Sequence, residues 1–523
     1  GPKLAMGQHA LYAAAREGEY GKKVGARLPG TDVWVTNSVL EMFAQPHYRT
    51  ALAIHINHAL APDVAPPKVV IDDGTEMQEA LKSLIGKEIS VDIETAGTNP
   101  FHAPILCIGL GTPELVVSVP WHVGSDTKIA CSHSTYMLVR RVLFKAKCLI
   151  AHNGAHDFSA LESRGIPLAS KRFDTFVAHG VVASELPHRL QYAAGLEFPM
   201  HGWKGAFLDS ANPDAKGLEK FTERPIEELQ RYNAEDVAYT ARLKAPLEQR
   251  LYDAAHDGWK HYQMRSDLND VLCRMTKKGM PFCEEARAEL DTWVNYDALR
   301  YKEKFEGMAG GIDAGKDGGT AAVKDFFFKA LNAPVLARTD TDAPSLSKNV
   351  LKRYTQECKG TPIAEAARVL LKFKLYGKLH STFTGPGCLD VYDGWVHPSF
   401  NAVGTVSGRL SCSSPNLQQM PLHGRKMFRA PDGWCFVEAD LAQVEPRLTA
   451  ELSQDPSLVD VFAQGKDIYL RVASALFNVR EDEVSPSERQ VAKMALLANN
   501  YGTGAKTFRE QLANRGVHVS EPE

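Results

Sequence analysis

Acidic side chains at regular spacing are the first feature of this 523-residue sequence that suggests chemistry. Over residues 89–94, apolar residues alternate with polar ones, which predicts a half-buried strand. Asp92 and Glu94 would then project from one face of that strand, about 7 Å apart. Asp157 follows a second apolar run, 148–151, at the start of a predicted helix.

A predicted helix over residues 226–251 adds Tyr232 and Asp236, which lie four residues apart and therefore on the same helix face. Four carboxylates from a strand and two later elements would suit two hard divalent cations, which prefer oxygen ligands. Two such ions about 4 Å apart activate a water and stabilise the leaving 3′ oxygen of a phosphodiester. Tyr232 would orient the attacking water. The alternative is that the acids are surface charges and Tyr232 is a core aromatic.

A second constellation lies near the C-terminal end of the sequence. The apolar segment 435–439 predicts a strand that ends at Asp440, whose carboxylate would lie at the strand's edge, where a metal and a triphosphate could be held. One face of a later predicted helix carries residues at four-residue spacing, namely Arg489, Lys493, Leu497 and Tyr501. Such a face presents two cations to a triphosphate and a non-polar surface to sugar and base. A solvated basic face above a buried apolar stripe is the alternative.

Composition limits the class of protein and the position of its positive charge. The sequence has 60 Lys and Arg, 63 Asp and Glu and 44% hydrophobic residues, which is typical of a globular protein and argues against collagen, coiled coil and disorder. With a net charge of −3, any contact with nucleic acid requires local basic patches. Basic residues cluster in predicted helices, at Lys348, Lys352, Arg353, Lys372, Lys374 and Lys378.

Nine cysteines without a CxxC pair argue against a disulfide framework and against a cysteine zinc site. No apolar run approaches the roughly 20 residues of a membrane span. We therefore expect a cytoplasmic protein without membrane contacts. Composition shifts predict an N-terminal appendage over 1–66, a second domain over 69–250 and a third over 260–523. The third would consist of a mainly helical part, about 260–385, and a mixed part, about 390–523.

The motifs Asp92-x-Glu94, Asn153-x-x-x-Asp157 and Tyr232-x-x-x-Asp236 resemble those of the DEDDy 3′–5′ exonucleases. These form the proofreading domain of family A (DNA polymerase I-like) enzymes. The resemblance implies an RNase H-like fold over 69–250, with Asp92, Glu94, Asp157 and Asp236 as metal ligands. It also implies that Mg²⁺ is the cofactor, with Mn²⁺ as a substitute.

Four later segments resemble family A polymerases in the order of that family, namely 407–418, 437–447 (motif A), 465–468 and 489–502 (motif B). By this resemblance Asp440 would bind the catalytic metals and Glu445 would exclude a ribose 2′-hydroxyl. Arg409 and Arg447 would support the active site and the primer end. The remaining predicted contacts to dNTP and primer–template are Arg489, Lys493, Tyr501, Asn416, Gln443, Leu497 and Gly502, with Lys493 also a candidate proton donor to pyrophosphate.

The sequence departs from the family pattern in several places. Leu497 replaces the usual Phe or Tyr, Tyr469 replaces a His, and Leu441-Ala442 replaces Tyr-Ser. The His-Asp-Glu strand of motif C, which supplies the second metal-binding Asp of the palm, does not occur before residue 523. We therefore expect that this chain proofreads but polymerises poorly alone, and that a C-terminal fragment or partner chain completes the palm.

The resulting fold prediction is mixed α/β and α+β: an RNase H-like exonuclease domain followed by a right-hand polymerase domain of thumb, palm and fingers, incomplete at its C-terminus. The predicted function is template-directed DNA synthesis with 3′–5′ proofreading, in a prokaryotic or viral replication setting, with primer–template DNA and dNTPs as partners. An exonuclease with an inactive polymerase-like scaffold and a non-catalytic primer–template binding module remain alternatives. Residues 33–49 faintly resemble the end of a uracil-DNA glycosylase-like domain, and a structural appendage is the alternative.

Overall fold

The computed structural model describes residues 3–6, 26–27, 33–36, 48–97, 99–122, 130–200, 203, 224–315, 319–339 and 342–513. The chain forms two compact units. The first consists of Gly1–Met280 with Asp390–Gln419, and the second of Pro281–Leu389 with Met420–Glu523. The three domain ranges predicted from sequence stay predictions. Within the described ranges, no helix has both the length and the apolar character needed to cross a membrane.

A six-stranded mixed sheet is the centre of the first unit. Its strands are β4 (Lys68–Val70), β5 (Glu88–Thr95), β6 (Ile105–Gly111), β7 (Leu115–Pro120), β8 (Cys148–Ala151) and β9 (Arg172–Asp174). The order across the sheet is β4-β7-β6-β5-β8-β9. β6 is antiparallel to β5 and β7, whereas β8 runs parallel to both β5 and β9. The predicted strand over 89–94 is confirmed as part of β5.

Helices cover both faces of this sheet, and the alternation along β5 separates two environments. Ile89, Val91 and Ile93 pack into an apolar core with helices α2 (Thr75–Leu84), α3 (His133–Lys145) and α4 (Ala155–Ser163). The helices of the opposite side are α5 (Thr175–Val182), α6 (Leu190–Glu197), α7 (Ile226–Asp253) and α8 (Gly258–Lys278). The long helix α7 contacts β5 through a hydrogen bond from the Ser90 hydroxyl to the Val237 carbonyl.

The N-terminal part contributes a small sheet and a helix. The strands are β1 (Lys3–Met6), β2 (Ala26–Arg27) and β3 (Val33–Thr36), with β1 parallel and β2 antiparallel to β3, and helix α1 (Tyr48–Leu60) follows. Residues 37–47, on which the glycosylase-like resemblance also depended, lie outside the described residues, so that resemblance stays a prediction. Short strands complete the unit: β11 (Val391–Tyr392), β12 (Trp395–Val396), β13 (Ser399–Asn401) and β14 (Ser411–Ser413). The two-residue strand β10 (Met280–Pro281) lies at the junction of the two units in the chain.

The second unit is helical in all its described elements. Its first part comprises α9 (Glu284–Met308), α10 (Ala321–Asp325), α11 (Lys348–Glu357) and α12 (Pro362–Leu379), packed around Phe305, Phe327 and Tyr354. Its second part comprises α13 (Val444–Ser453), α14 (Pro456–Ala463), α15 (Ile468–Phe477), α16 (Pro486–Asn500) and α17 (Ala505–Ala513). The predicted helix with Arg489 and Lys493 is confirmed as α16.

One predicted element is wrong. The segment 435–439 is not a strand, and residues 431–442 are exposed without regular structure. Val437 is 88% exposed and Leu441 is 74% exposed. An isolated apolar segment cannot satisfy its backbone hydrogen bonds as a strand without a neighbouring strand. No described strand pairs with it.

Candidate active sites

Three carboxylates from two distant parts of the sequence converge in the first unit. Ligand oxygens of Asp92, Glu94 and Asp236 all lie within 4.8 Å of one another. Asp92 and Glu94 alternate with the buried Val91 and Ile93 along β5, so both point toward α7, which carries Asp236. We call these three residues the acidic cluster. Packing of α7 against the second face of the sheet therefore brings the predicted ligands together.

Two polar side chains hold this cluster in place, and sequence reasoning identified neither. Asn233 Nδ2 donates to Asp92 Oδ2 at 2.8 Å, while Asn233 Oδ1 accepts from the Ser118 hydroxyl at 2.7 Å. Trp203 Nε1 donates to Asp236 Oδ1 at 2.5 Å. For Asn233, the signal in the sequence is its position one turn before Asp236 on α7. For Trp203, the only signal is general, because a buried indole N–H usually has an acceptor.

Asp157, the fourth predicted ligand, lies in the first turn of α4 and is 7% exposed. Its Oδ1 accepts a hydrogen bond from the backbone N–H of Ile93, at 3.0 Å, which places it beside the β5 residues of the cluster. Burial raises the pKa of Asp157 to about 7, against hydrogen bonds that favour the ionised form and with a further contribution from the charges of Asp174 and Asp236. A nearby cation would favour ionisation of this carboxyl group.

Tyr232 lies one turn before Asp236 on α7 and is partly buried against the apolar core on that side of the sheet. Its predicted role in orienting a water stays a prediction. The turn before α4 depends on Asp174, whose two carboxylate oxygens each accept from a backbone N–H, those of Asn153 and Gly154, at 3.0 Å. Asn153 has a left-handed conformation with φ of 63°, which Asn tolerates better than most residues. Asp174 thus fixes the turn that presents Asp157.

The donor set fits a hard divalent cation. The acidic cluster offers only carboxylate oxygens, with Asp157 close by, and such sets bind Mg²⁺ or Mn²⁺ rather than softer metals. Hydrogen bonds from Asn233 and Trp203 orient two of these carboxylates, as outer partners of metal ligands commonly do.

In the second unit, Asp467 connects motif residues from three elements. It caps the N-terminus of α15, and its Oδ1 accepts from Gln443 Nε2 at 3.1 Å. Its Oδ2 accepts from Nε and Nη2 of Arg489 on α16, at 2.9 and 2.6 Å. One carboxylate therefore joins Arg489, which is predicted to meet a triphosphate, to Gln443 of motif A.

The face of α16 carries the predicted stripe. Lys493 Nζ and Arg489 Cζ lie 5.7 and 5.3 Å from the ring centre of Tyr469. Tyr501 donates from its hydroxyl to Glu445 Oε1 at 2.7 Å, and so connects the end of motif B to motif A. Leu497 and Tyr501 also line a cavity of about 570 Å³. Gly502 follows with φ of 64°, a conformation that favours glycine.

The remaining predicted polymerase residues lie outside α16. Asp440 lies in the exposed irregular segment 431–442, and the expected position at a strand end is wrong. Arg447 donates from Nε to the Ala442 carbonyl and stacks on Phe462 with its guanidinium 4.7 Å from the ring centre. Arg409 and Asn416 belong to the first unit, whereas the other predicted polymerase residues belong to the second.

Comparisons with known proteins match two consecutive parts of the chain to two families. Residues 69–252 match the family model described as 3′–5′ exonuclease, and residues 298–521 match that of DNA polymerase family A. The chain is 28% identical over 466 residues to DNA polymerase I of Chloroflexus aurantiacus and 30% identical over 374 residues to that of Treponema pallidum. It is 25% identical over 532 residues to the DNA polymerase of Bacillus phage SP01.

These alignments cover 86%, 70% and 86% of the chain, but only 48%, 36% and 57% of those relatives. The chain thus spans about half the length of the curated relatives that it matches. Its fold is similar to a solved structure of the POL domain of Pol1 from M. smegmatis in complex with DNA primer–template and dNTP. The TM-score is 0.63 at 20% identity, and the match covers 85% of this chain and 73% of that one. Because an exonuclease segment precedes a polymerase segment and both match their own models, the chain belongs to the family A DNA polymerases and carries a 3′–5′ exonuclease domain.

Proposed function

We propose that this chain removes nucleotides from the 3′ end of DNA at the acidic cluster, as the proofreading part of a template-directed DNA polymerase. The convergence of Asp92, Glu94 and Asp236 within 4.8 Å, beside the buried Asp157, carries the proposal. This arrangement combines oxygen ligands from β5, α4 and α7 and needs no residue of the second unit.

The proposed cofactor is Mg²⁺, which would supply an activated water and charge stabilisation at the scissile phosphate. Asp92, Glu94, Asp157 and Asp236 would hold it. Asn233 and Trp203 would keep two of these carboxylates aimed at the site, so that little reorganisation is needed on binding. Tyr232, one turn from Asp236, would orient the attacking water.

For synthesis, we propose that α16 receives the triphosphate of an incoming dNTP. Arg489 and Lys493 present two cations on one helix face, and Tyr501 and Glu445 form the adjoining polar contact at 2.7 Å. Asp440 would bind the metals of this second site. In the first unit, Arg409 and Asn416 would contact the primer–template. In the second unit, the basic helices α11 and α12 would do so.

A specific observation favours a second candidate function for the chain by itself, namely degradation without efficient synthesis. Asp440 is exposed in a segment whose apolar side chains are also exposed, including Trp434 and Val437, which are 74% and 88% exposed. We propose that this segment becomes a strand when it pairs with a palm strand from a C-terminal fragment or partner chain. Such pairing would bury its apolar side chains and fix Asp440 beside a second carboxylate.

The exonuclease proposal is tested with a 5′-labelled primer that ends in a 3′ mismatch on a template, in Mg²⁺ and without dNTPs. The unaltered chain should shorten the primer stepwise from its 3′ end. Asp92→Asn should reduce the rate by more than the roughly 10–100-fold that loss of an outer-shell partner costs. Asp72→Asn, at an exposed acid outside the cluster, is the matched control and should retain activity. Equal rates for the Asp92 variant and the unaltered chain would contradict the proposal.

A further inference from the structure

The ring of Tyr469 lies against both cations that the proposed function assigns to triphosphate binding. Arg489 Cζ is 5.3 Å and Lys493 Nζ is 5.7 Å from its ring centre, within the range of cation–π attraction. Tyr469 lies in the first turn of α15 and is only 5% exposed, so that neighbouring side chains hold the ring in one position. One aromatic ring therefore lies near two positive side chains of α16.

Two positive charges lie close together on α16. Arg489 and Lys493 lie four residues apart, and like charges at that spacing repel each other. Arg489 is also held by Asp467, through contacts of 2.9 and 2.6 Å. Within the described parts of the chain, no salt bridge to Lys493 occurs, and the ring of Tyr469 lies within cation–π range of its ammonium group.

We infer that Tyr469 is a positioning residue for polyphosphate, whose ring holds Arg489 and Lys493 side by side on α16. The inference rests on the proposed function, because it requires that these two cations bind a triphosphate. The ring contributes its negative face, and the hydroxyl is not needed. Without the ring the two cations would separate before the ligand binds, and we expect the affinity for polyphosphate to fall by about tenfold.

An alternative is that Tyr469 only fills the small apolar core that it shares with Val461 and Ile468. The backbone N–H of Tyr469 donates to Asp467 Oδ1 at 2.9 Å, and substitution by Phe or Leu keeps this donor. The side chain alone therefore distinguishes the two roles. Leu458 packs at the edge of the same core and provides a matched control, because its side chain has no aromatic ring that could attract a cation.

The experiment measures the dissociation constants of dATP and of inorganic tripolyphosphate with the full 523-residue chain, by calorimetry. Thermal unfolding of each variant is recorded in parallel. Tyr469→Phe should bind both ligands within twofold of the unaltered chain, because the ring is retained. Tyr469→Leu should weaken both by about tenfold, and Leu458→Ala should leave both within twofold.

Three results would overturn the inference: unchanged affinity in Tyr469→Leu, equal losses in the Phe and Leu variants, or a loss in Leu458→Ala as large as in Tyr469→Leu. The inference does not depend on catalysis, because binding alone is measured. If the unaltered chain binds neither dATP nor tripolyphosphate, the proposed triphosphate site itself is wrong. That result is distinct from a failure of Tyr469 as a positioning residue.

Discussion

Single side chains outside the acidic cluster orient its carboxylates. Trp203 donates its indole N–H to Asp236 and stacks on Tyr239, with ring centres 4.4 Å apart and planes at 13°. The stacking holds the indole in one orientation, and its hydrogen bond then holds the carboxylate of Asp236. Hydrogen bonds of this kind contribute to metal affinity and activity through the ligand that they orient.

We predict that Trp203→Phe lowers exonuclease activity by about tenfold and raises the Mg²⁺ concentration needed for half-maximal rate. The phenyl ring keeps the stack on Tyr239 but loses the donor to Asp236. Degradation rates over a series of Mg²⁺ concentrations measure the effect, with Trp293→Phe in α9 as the control. An unchanged Mg²⁺ dependence in Trp203→Phe would show that this hydrogen bond does not aim the carboxylate.

At the scale of elements, the site depends on how closely α7 approaches the sheet. Gly109 of β6 is the cross-strand partner of Asp92, and a Cβ added there would lie 2.2 Å from Asn233 Oδ1 and 2.6 Å from Val237 Cγ2. Only glycine therefore permits α7 to bring Asn233 and Asp236 to the carboxylates of β5.

We predict that Gly109→Ala destabilises the protein by about 1–3 kcal/mol through overpacking and reduces exonuclease activity, because Asn233 must move away from Asp92. Denaturant unfolding and the degradation assay measure the two effects. Gly307→Ala in α9, where no atom lies within 4 Å of the added Cβ, should be neutral or slightly stabilising. Full activity and stability in Gly109→Ala would contradict this view of the helix–sheet contact.

Helix α5 carries a buried histidine that makes stability depend on pH. His179 Nδ1 lies 2.8 Å from His188 Nδ1, and burial, with smaller contributions from His188, His152 and Arg250, lowers the pKa of His179 well below 6.5. The folded state therefore keeps His179 neutral, whereas the unfolded chain binds a proton below pH 6.5. Its contribution is present above pH 6.5 and is lost as the pH falls below that value.

We predict that the free energy of unfolding falls by about 1.4 kcal/mol per pH unit between pH 6 and 5 through His179. Denaturant unfolding at several pH values measures this slope, which His179→Gln should reduce. His133→Gln, at an exposed position on α3, serves as the control and should retain the slope of the unaltered chain. An identical slope in the His179 variant would exclude this residue as a source.

Local patterns predicted the elements that carry the acidic cluster, because alternation in β5 and four-residue spacing in α7 are properties of short segments. They did not reveal Trp203 or Asn233 as partners, since these hydrogen bonds join residues 33 and 141 positions apart in the sequence. The wrong strand over 435–439 has the same origin. Its apolar residue types favour a strand, but a strand forms only when it pairs with another strand.

At the scale of the whole molecule, the described parts of the chain leave an apolar surface at motif A. Trp434, Phe436, Val437 and Leu441 are 52–88% exposed. Contiguous apolar exposure of this kind marks an interaction surface rather than a core. It corresponds to the surface that we propose for a palm strand from a further fragment or partner chain.

We predict that replacing Val437 and Leu441 together with Lys leaves the unfolding midpoint of this chain unchanged and lowers its binding of a hydrophobic dye, because these side chains support no core here. Dye fluorescence and thermal unfolding measure the two effects. Val461→Lys, at a buried position of α14, is the contrasting variant and should destabilise the second unit. Loss of stability in the double variant would show that the segment already packs.

The central claim is that the chain carries a 3′–5′ exonuclease site that works without Asp440. The most direct measurement follows one labelled mismatched primer–template in Mg²⁺, with dNTPs, for the unaltered chain, Asp92→Asn and Asp440→Asn. We expect shortened products from the unaltered chain and from Asp440→Asn at equal rates, and none from Asp92→Asn. Shortening that survives in Asp92→Asn, or is lost in Asp440→Asn, would contradict the account.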